Sequence, residues 1–289
     1  MPRAKEAVRE AERLLKASDD IDHPNAGKER YEAEELLEFV LGHALDETEV
    51  VNGRDLSRYQ RLVRRRASGA PVAYITGLTT FGSLSLEVRP GVFIPRQSSE
   101  FMVEQALRRL RGRPEPVHVD IATGIGPVAL GVAHRLGRAH VFGVDLSRRP
   151  LALARRNAAR LGIGNATFLH GDLFNPLPRV LRKGVDVVTG HLPYVGEEEL
   201  DTLPEEILRF EPMESLTDFS PTGLGLLTRV AAEAPVWLRP GGWLLLEVSP
   251  DRSRKVSALL RRAGYATVRS TKGELPVSRV VVGRYPGPA

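Results

Sequence analysis

Residues 117 to 145 constrain the chain more than any other stretch. Val117, Val119 and Ile121 make a short β-branched run, and Thr123-Gly124-Ile125-Gly126 follows as a turn. Pro127 then suits the first position of a helix, where a missing N–H would go unpaired anyway. A second apolar run, 141 to 145, ends on the carboxylate of Asp145. The order is strand, glycine turn, helix, strand. Glycines let a ligand approach the backbone closely, and a helix N-terminus offers free N–H groups to a polar or anionic moiety. A carboxylate at the end of the second strand can accept both hydrogens of a ribose diol. The stretch predicts a nucleotide or nucleoside site. Gly124-x-Gly126-x-x-Ala129 also satisfies the dinucleotide pattern, so by itself it fits a nicotinamide enzyme and an S-adenosyl-L-methionine enzyme alike.

At 289 residues the chain exceeds the usual size of one domain, and an α/β domain of about 170 to 190 residues leaves room for a smaller one. The start, Met-Pro-Arg-Ala-Lys-Glu, is charged, and no run approaches the ~18 apolar residues of a membrane span. A cytoplasmic protein with no membrane partner is expected. The absence of cysteine excludes disulfides, thiolate ligands and a cysteine nucleophile. Seven histidines without paired spacing predict no metal site. Net charge is +5, but Arg64-Arg65-Arg66, Arg148-Arg149 and Arg261-Arg262 have no interleaved aromatics. They read as solvated helix faces, and direct nucleic-acid binding is not expected.

Residues 1 to 69 read as an N-terminal helical domain. One apolar face carries Ala4, Ala7, Val8, Ala11, Leu14 and Leu15, and a second carries Leu36, Leu37, Val40, Leu41 and Leu45. A loop at 23 to 27 separates them, and a third helix is expected over 55 to 67. Residues 70 to 97 read as a β-hairpin linker, with strands at 72 to 75 and 84 to 88 around Gly77 and Gly82. The remainder, 98 to 285, alternates strands and helices. A helix begins near Ser98, with Ser98 or Ser99 as its cap. Further helices are expected over 150 to 161, 223 to 238 and 252 to 263, and strands over 166 to 169, 185 to 188 and 243 to 248. The pair 265 to 270 and 277 to 284 closes the domain as a hairpin. Such alternation gives a mostly parallel, Rossmann-like α/β sheet with ligands outside the carboxyl ends of its strands. The antiparallel last pair favours a class I methyltransferase over a nicotinamide enzyme. The long connection 195 to 220 is of a length that usually binds something.

With these elements in place, the chain resembles the HemK/PrmC-type methyltransferases, which modify a glutamine of peptide-chain release factors. The similar residues run from about 30 to 285. They include Tyr74-Ile75-Thr76-Gly77, Phe81-Gly82, Val92-Phe93-Ile94-Pro95-Arg96, Ser99-Glu100, the stretch from Asp120 to Gly126, and Gly143-Val-Asp145-Leu-Ser147. Gly171-Asp-Leu-Phe174, Leu203-Pro204-Glu205, Glu211-Pro212, Leu238 to Trp243, Leu246-Glu247 and Arg279 to Gly283 continue the series. The resemblance implies S-adenosyl-L-methionine as cofactor. It would lie on the turn of Ala122, Thr123, Gly124, Ile125 and Gly126, with Asp145 on the ribose and Leu146 beside it. Asp172 and Leu173 would flank the adenine, and His191 would also contact the cofactor. Asp120 would brace the turn or meet the methionine amino group. The implied partner is a release factor, held through the N-terminal domain and the 195 to 220 connection.

The family's catalytic stretch is Asn-Pro-Pro-Tyr, and here it is His191-Leu192-Pro193-Tyr194. An amide nitrogen is a poor nucleophile because its lone pair is delocalised into the carbonyl. In the family, the asparagine oxygen and the next backbone carbonyl hold the amide NH2 while the tyrosine packs against it. A neutral histidine can accept one hydrogen bond but offers no adjacent amide donor. Losing one well-placed polar partner costs roughly 2.7–4 kcal/mol, whereas in-line positioning contributes about 7–11 kcal/mol. Amide methylation would be weakened and not necessarily abolished. As an acceptor-positioning group or a general base, His191 would instead suit a small-molecule N- or O-acceptor. A cofactor-binding paralogue with little activity is the remaining expectation. Two further departures are Ala122 and Ile125 in the turn, and Ser249 where relatives carry glycine.

Overall fold

In a computed structural model that describes residues 1–23, 27–275 and 277–288, the chain separates into two compact units. The smaller comprises 1–78, 89–91 and 202–211, and the larger 79–88, 92–201 and 212–289. The loop expected at 23 to 27 falls partly outside the described residues.

The smaller unit is helical: α1 (Ala4–Lys16), α2 (Lys28–Leu41), α3 (Gly53–Ala67) and α4 (Val72–Thr76). Ala4, Ala7, Val8, Ala11 and Leu15 of α1 pack with Ala33, Leu36, Leu37 and Val40 of α2, while Leu14, expected on the same face, stays exposed. Asn52 caps α3, its Oδ1 accepting the N–H groups of Arg54 and Asp55, both at 3.0 Å. Arg66 is fully buried, and its guanidinium donates to Glu32 at 2.8 Å and to Glu206 at 3.2 Å. The 202–211 segment thus belongs to the helical unit through an ion pair as well as through packing.

Residues 72 to 75 are a turn of helix where β-propensity predicts a strand. Gly77 closes it at φ 77° with its N–H on the Ala73 carbonyl at 2.9 Å, and Val72 and Ile75 complete the helical core. Burial against α2 and α3 outweighs the preference of β-branched residues for extended backbone. The hairpin is formed instead by β1 (Leu78–Phe81) and β2 (Leu84–Glu87).

The larger unit follows the alternating pattern: α5 (Glu100–Leu110), β3 (Val117–Ile121), α6 (Pro127–Arg135), β4 (His140–Asp145), α7 (Arg148–Arg160), β5 (Ala166–His170) and β6 (Val185–Gly190). After the long connection, which includes α8 (Glu205–Phe210), come α9 (Gly225–Trp237), β7 (Leu238–Val248), α10 (Ser253–Arg262), β8 (Ala266–Thr271) and β9 (Arg279–Arg284). The sheet order is β5-β4-β3-β6-β7-β9-β8, with β9 antiparallel to both neighbours and the other pairs parallel. The chain runs outward from β3 to β5 and returns to β6 on the other side of β3. That reversal opens a crevice at the carboxyl ends of β3 and β6, the usual ligand position in such sheets. β7 begins five residues earlier than expected, because the Pro240-Gly241-Gly242 segment is taken up as a register shift against β6. Val119, Ile121, Val185, Val188, Leu244, Leu246 and Val281 form the centre of the core. Asn157 of α7 fixes the hairpin to this unit, accepting the Glu87 N–H at 2.7 Å and donating to the Glu87 carbonyl at 3.1 Å.

Candidate active site

The turn after β3 places three residues in the left-handed region, Ala122 at φ 55°, Gly124 at 58° and Gly126 at 87°. This bends the chain so that α6 starts at once with Pro127. A side chain at Gly126 would meet Phe168 and Leu130 at 3.1–3.2 Å, so glycine there serves packing, whereas the space over Gly124 is open. Ile125 turns its side chain into the core, with 1% exposed, and leaves only backbone to the open side.

Asp145 closes β4 and ties the turn to it. Its Oδ2 accepts the Gly124 N–H and its Oδ1 the Ser147 N–H, each at 2.8 Å. Burial pushes its carboxyl up from the ordinary range, against the effect of those two donors. Each oxygen keeps a second lone pair for a hydroxyl donor. Leu146 next to it is 70% exposed, an apolar surface at the strand end.

Asp120, at the end of β3, is buried beneath the turn. Its Oδ2 accepts the Thr123 hydroxyl at 2.7 Å and its Oδ1 the Thr189 hydroxyl at 2.6 Å. Burial pushes its carboxyl up to about 6. His118, on the same face of β3, lies 2.8 Å from the Thr189 Oγ1 through Nε2, and its burial lowers the imidazole to about 3. The Thr189 hydrogen is committed to Asp120, so His118 Nε2 is the donor. The chain of bonds runs His118 to Thr189 to Asp120 and braces β3 against β6.

Asp172 and Leu173 follow β5. Leu173 is buried at φ 47°, and Asp172 receives a bidentate pair of bonds from Arg229 of α9, at 2.6 and 3.2 Å. Arg229 carried no signal in the sequence, since its partner lies 57 residues away.

His191, Leu192, Pro193 and Tyr194 leave the carboxyl end of β6. Leu192 is buried in the core, which leaves its backbone as the group able to face the crevice. The His191 and Tyr194 rings lie nearly parallel, with centroids 5.8 Å apart and planes at 19°. Phe93 meets His191 edge-on, also at 5.8 Å, and Arg96 lies over the Phe93 ring. Burial, with Glu247 nearby, pushes the Tyr194 hydroxyl up to about 12. Tyr194 is therefore a neutral packing wall and hydrogen-bond donor at any physiological pH.

Ser98 and Ser99, expected as helix caps, make no cap bond at α5. Ser98 Oγ donates to Glu247 Oε1 at 2.9 Å, and Ser99 Oγ lies 3.3 Å from His191 Nδ1. Glu247, at the end of β7, is fully buried and stands 3.7 Å from the same nitrogen through Oε2. Glu247, Ser99 and Phe93 stood in the sequence motifs without a place in the site, and Ser98 was expected only as a cap. β6 and β7 are parallel neighbours with Gly190 opposite Leu246, so His191 and Glu247 emerge side by side. No single-sequence pattern shows that pairing.

The donor set at the crevice suits a nucleoside. An open glycine turn faces it, a carboxylate with free lone pairs ends the second strand, and Leu146 offers an exposed apolar face. No group of three or more metal-ligating side chains occurs among the described residues.

Residues 6–77 match the family model for the PrmC N-terminal domain, and residues 119–210 the model for a methyltransferase domain. A Bordetella pertussis release factor glutamine methyltransferase is 37% identical over 262 residues, covering 89% of this chain and 95% of that protein. The Geobacter sulfurreducens protein of the same name is 35% identical over 263 residues, covering 88% and 89%. Among solved structures, a Pyrococcus furiosus methyltransferase superposes with a TM-score of 0.54 at 18% identity, covering 80% of this chain and all of that one, a likeness of fold alone. Glycine turn, strand-end carboxylate and whole-length similarity agree, and the chain belongs to the release factor glutamine methyltransferase family and is a methyltransferase.

Proposed function

We propose that this enzyme transfers the methyl group of S-adenosyl-L-methionine to the side-chain amide nitrogen of a glutamine in a peptide-chain release factor. The observation that carries this reading is similarity along nearly the whole chain, helical unit included, to enzymes named for that reaction. A diverged small-molecule enzyme would have less reason to keep the PrmC N-terminal domain that residues 6–77 match.

The backbone of Thr123, Gly124, Ile125 and Gly126 would hold the amino-acid tail, with Asp120 and Ala122 shaping the turn from beneath. Asp145 would take the ribose hydroxyls on its remaining lone pairs, and Leu146, Asp172 and Leu173 would border the base. The cofactor supplies an electrophilic methyl carbon on a sulfonium, and the acceptor nitrogen forms the new C–N bond as the C–S pair returns to sulfur. His191, the backbone of Leu192, Pro193 and the ring of Tyr194 would position that nitrogen. No covalent enzyme intermediate is needed. The proton lost from nitrogen balances the positive charge lost from sulfur.

Transfer of labelled methyl to purified release factor, compared with the same factor carrying alanine for the acceptor glutamine, tests the reading. Label on the intact factor alone supports it. Cofactor binding with no label on either would overturn it and favour the small-molecule acceptor that a histidine at this position suits.

A further inference from the structure

We infer that Glu247 is a positioning residue for His191, holding the imidazole with hydrogen on Nδ1 and its bare Nε2 as the acceptor for the N–H of the methylated group. The inference deepens the proposed function and rests on it for the identity of the acceptor.

Three observations carry it. Glu247 Oε2 is buried and has no hydrogen-bond partner, although its other oxygen is anchored by Ser98 at 2.9 Å. A buried acceptor left unpaired is costly, and such atoms concentrate where a function uses them. The group that oxygen faces is His191 Nδ1, at 3.7 Å, and Ser99 Oγ approaches the same nitrogen at 3.3 Å. A carboxylate oxygen only accepts and the Ser99 hydroxyl can accept as well, so hydrogen is favoured on the ring nitrogen that faces both. Finally, nothing among the described residues hydrogen-bonds Nε2 on the opposite edge of the ring.

The arrangement answers the chemical problem posed by His191. An acceptor-group N–H needs a lone pair opposite it, and a histidine offers one only through an unprotonated nitrogen. Of the two neutral tautomers, one presents a donor to the acceptor group and repels it, and the other presents a lone pair. Glu247 selects the second. As the C–N bond forms, Nε2 takes the proton released from nitrogen and passes it to water, and the carboxylate behind Nδ1 stabilises the imidazolium while it lasts. Ser98 acts one step further back, by fixing the Glu247 rotamer. Tyr194 and Phe93 hold the ring plane from its face and its edge.

The test is 15N NMR of His191 in the full-length protein, read with the transfer kinetics of Glu247→Gln. In the wild type the expected state is protonated Nδ1 and bare Nε2. In Glu247→Gln the amide oxygen stays on Ser98 and the NH2 group faces Nδ1, so the tautomer inverts. The kcat for methyl transfer should then fall about 10- to 100-fold, the range seen when a metal-bound histidine loses its orienting partner, with affinity for S-adenosylhomocysteine unchanged. In a His191→Asn background the same substitution should have almost no further effect, because both changes act through one group. Should Glu247→Gln fail to fold, Ser98→Ala frees the carboxylate to rotate away from Nδ1, and the share of protein with hydrogen on Nδ1 should fall without a full inversion. Wild-type protein with hydrogen on Nε2, or a tautomer unmoved in every variant, overturns the inference. If the wild type leaves release factor unlabelled, the proposed acceptor is wrong, while the NMR result still decides the role of Glu247.

Discussion

A side chain at Gly223 would begin 2.0 Å from the carbonyl oxygen of Tyr194. The glycine also sits at φ 64°, where only a residue without Cβ is unstrained, so two independent constraints meet at one position. The loop that precedes α9 thus presses on the backbone of Tyr194. Gly223→Ala must push Tyr194 out of place. We expect a destabilisation of about 1–3 kcal/mol, the range for overpacking a tight contact. Methyl transfer should suffer more than cofactor affinity. Thermal unfolding and single-turnover transfer measure the two effects separately, and unchanged turnover would show that Tyr194 has room to spare.

Asp120 makes stability depend on pH. Its carboxyl is held at about 6, above the ordinary 3.8, so between those values the folded protein binds more protons than the unfolded chain. Stability therefore falls as pH rises from about 4 to about 6, and the loss amounts to about 3 kcal/mol for this group. Asp120→Asn cannot titrate. Urea unfolding of both proteins from pH 4 to 7 should show the extra slope only in the wild type. Parallel curves would mean the buried carboxyl titrates as it does in the unfolded chain.

Asp145 binds two backbone N–H groups now and is proposed to bind ribose hydroxyls as well. Hydrogen bonds to a charged group contribute about 1.5–3 kcal/mol each. Asp145→Ala should weaken S-adenosylmethionine binding at least 10-fold, read by calorimetry, and should loosen the Gly124 turn. An affinity equal to wild type would remove Asp145 from the cofactor site.

Ala122 holds a backbone conformation that strains any residue with a Cβ. At φ 55° its Cβ crowds the following carbonyl, a strain of about 1–2 kcal/mol in the left-handed region. Ala122→Gly should stabilise the protein by about 1 kcal/mol after the entropy of the more flexible unfolded chain is subtracted. Denaturant midpoints measure the gain, and a loss of stability would show that the methyl group packs usefully.

Much of this molecule follows from short-range chemistry. The strand, glycine turn and helix over 117 to 135 depend on neighbours in the chain: β-branched residues, glycines that tolerate positive φ, and a proline that needs no N–H partner. The ends of β3 and β4, the antiparallel closing pair and the position of Asp145 could be read for that reason. Residues 72 to 75 could not, because their β-branched side chains are helical only by virtue of a core built from α2 and α3. Ser98 and Ser99 are similar. A serine before a helix reads as its cap, but the direction of its hydroxyl is settled by what stands opposite, here Glu247 and His191.

By itself, the sequence determined the βαβ unit, the family and the histidine that opens the 191 to 194 stretch. It could not show what that histidine is for. His191 and Glu247 are 56 positions apart, and they meet because β7 docks parallel to β6 in one register, with Gly190 against Leu246. Register is a property of the packed sheet: it is fixed by which faces of two strands bury together, so neither strand's own pattern determines it without its partner.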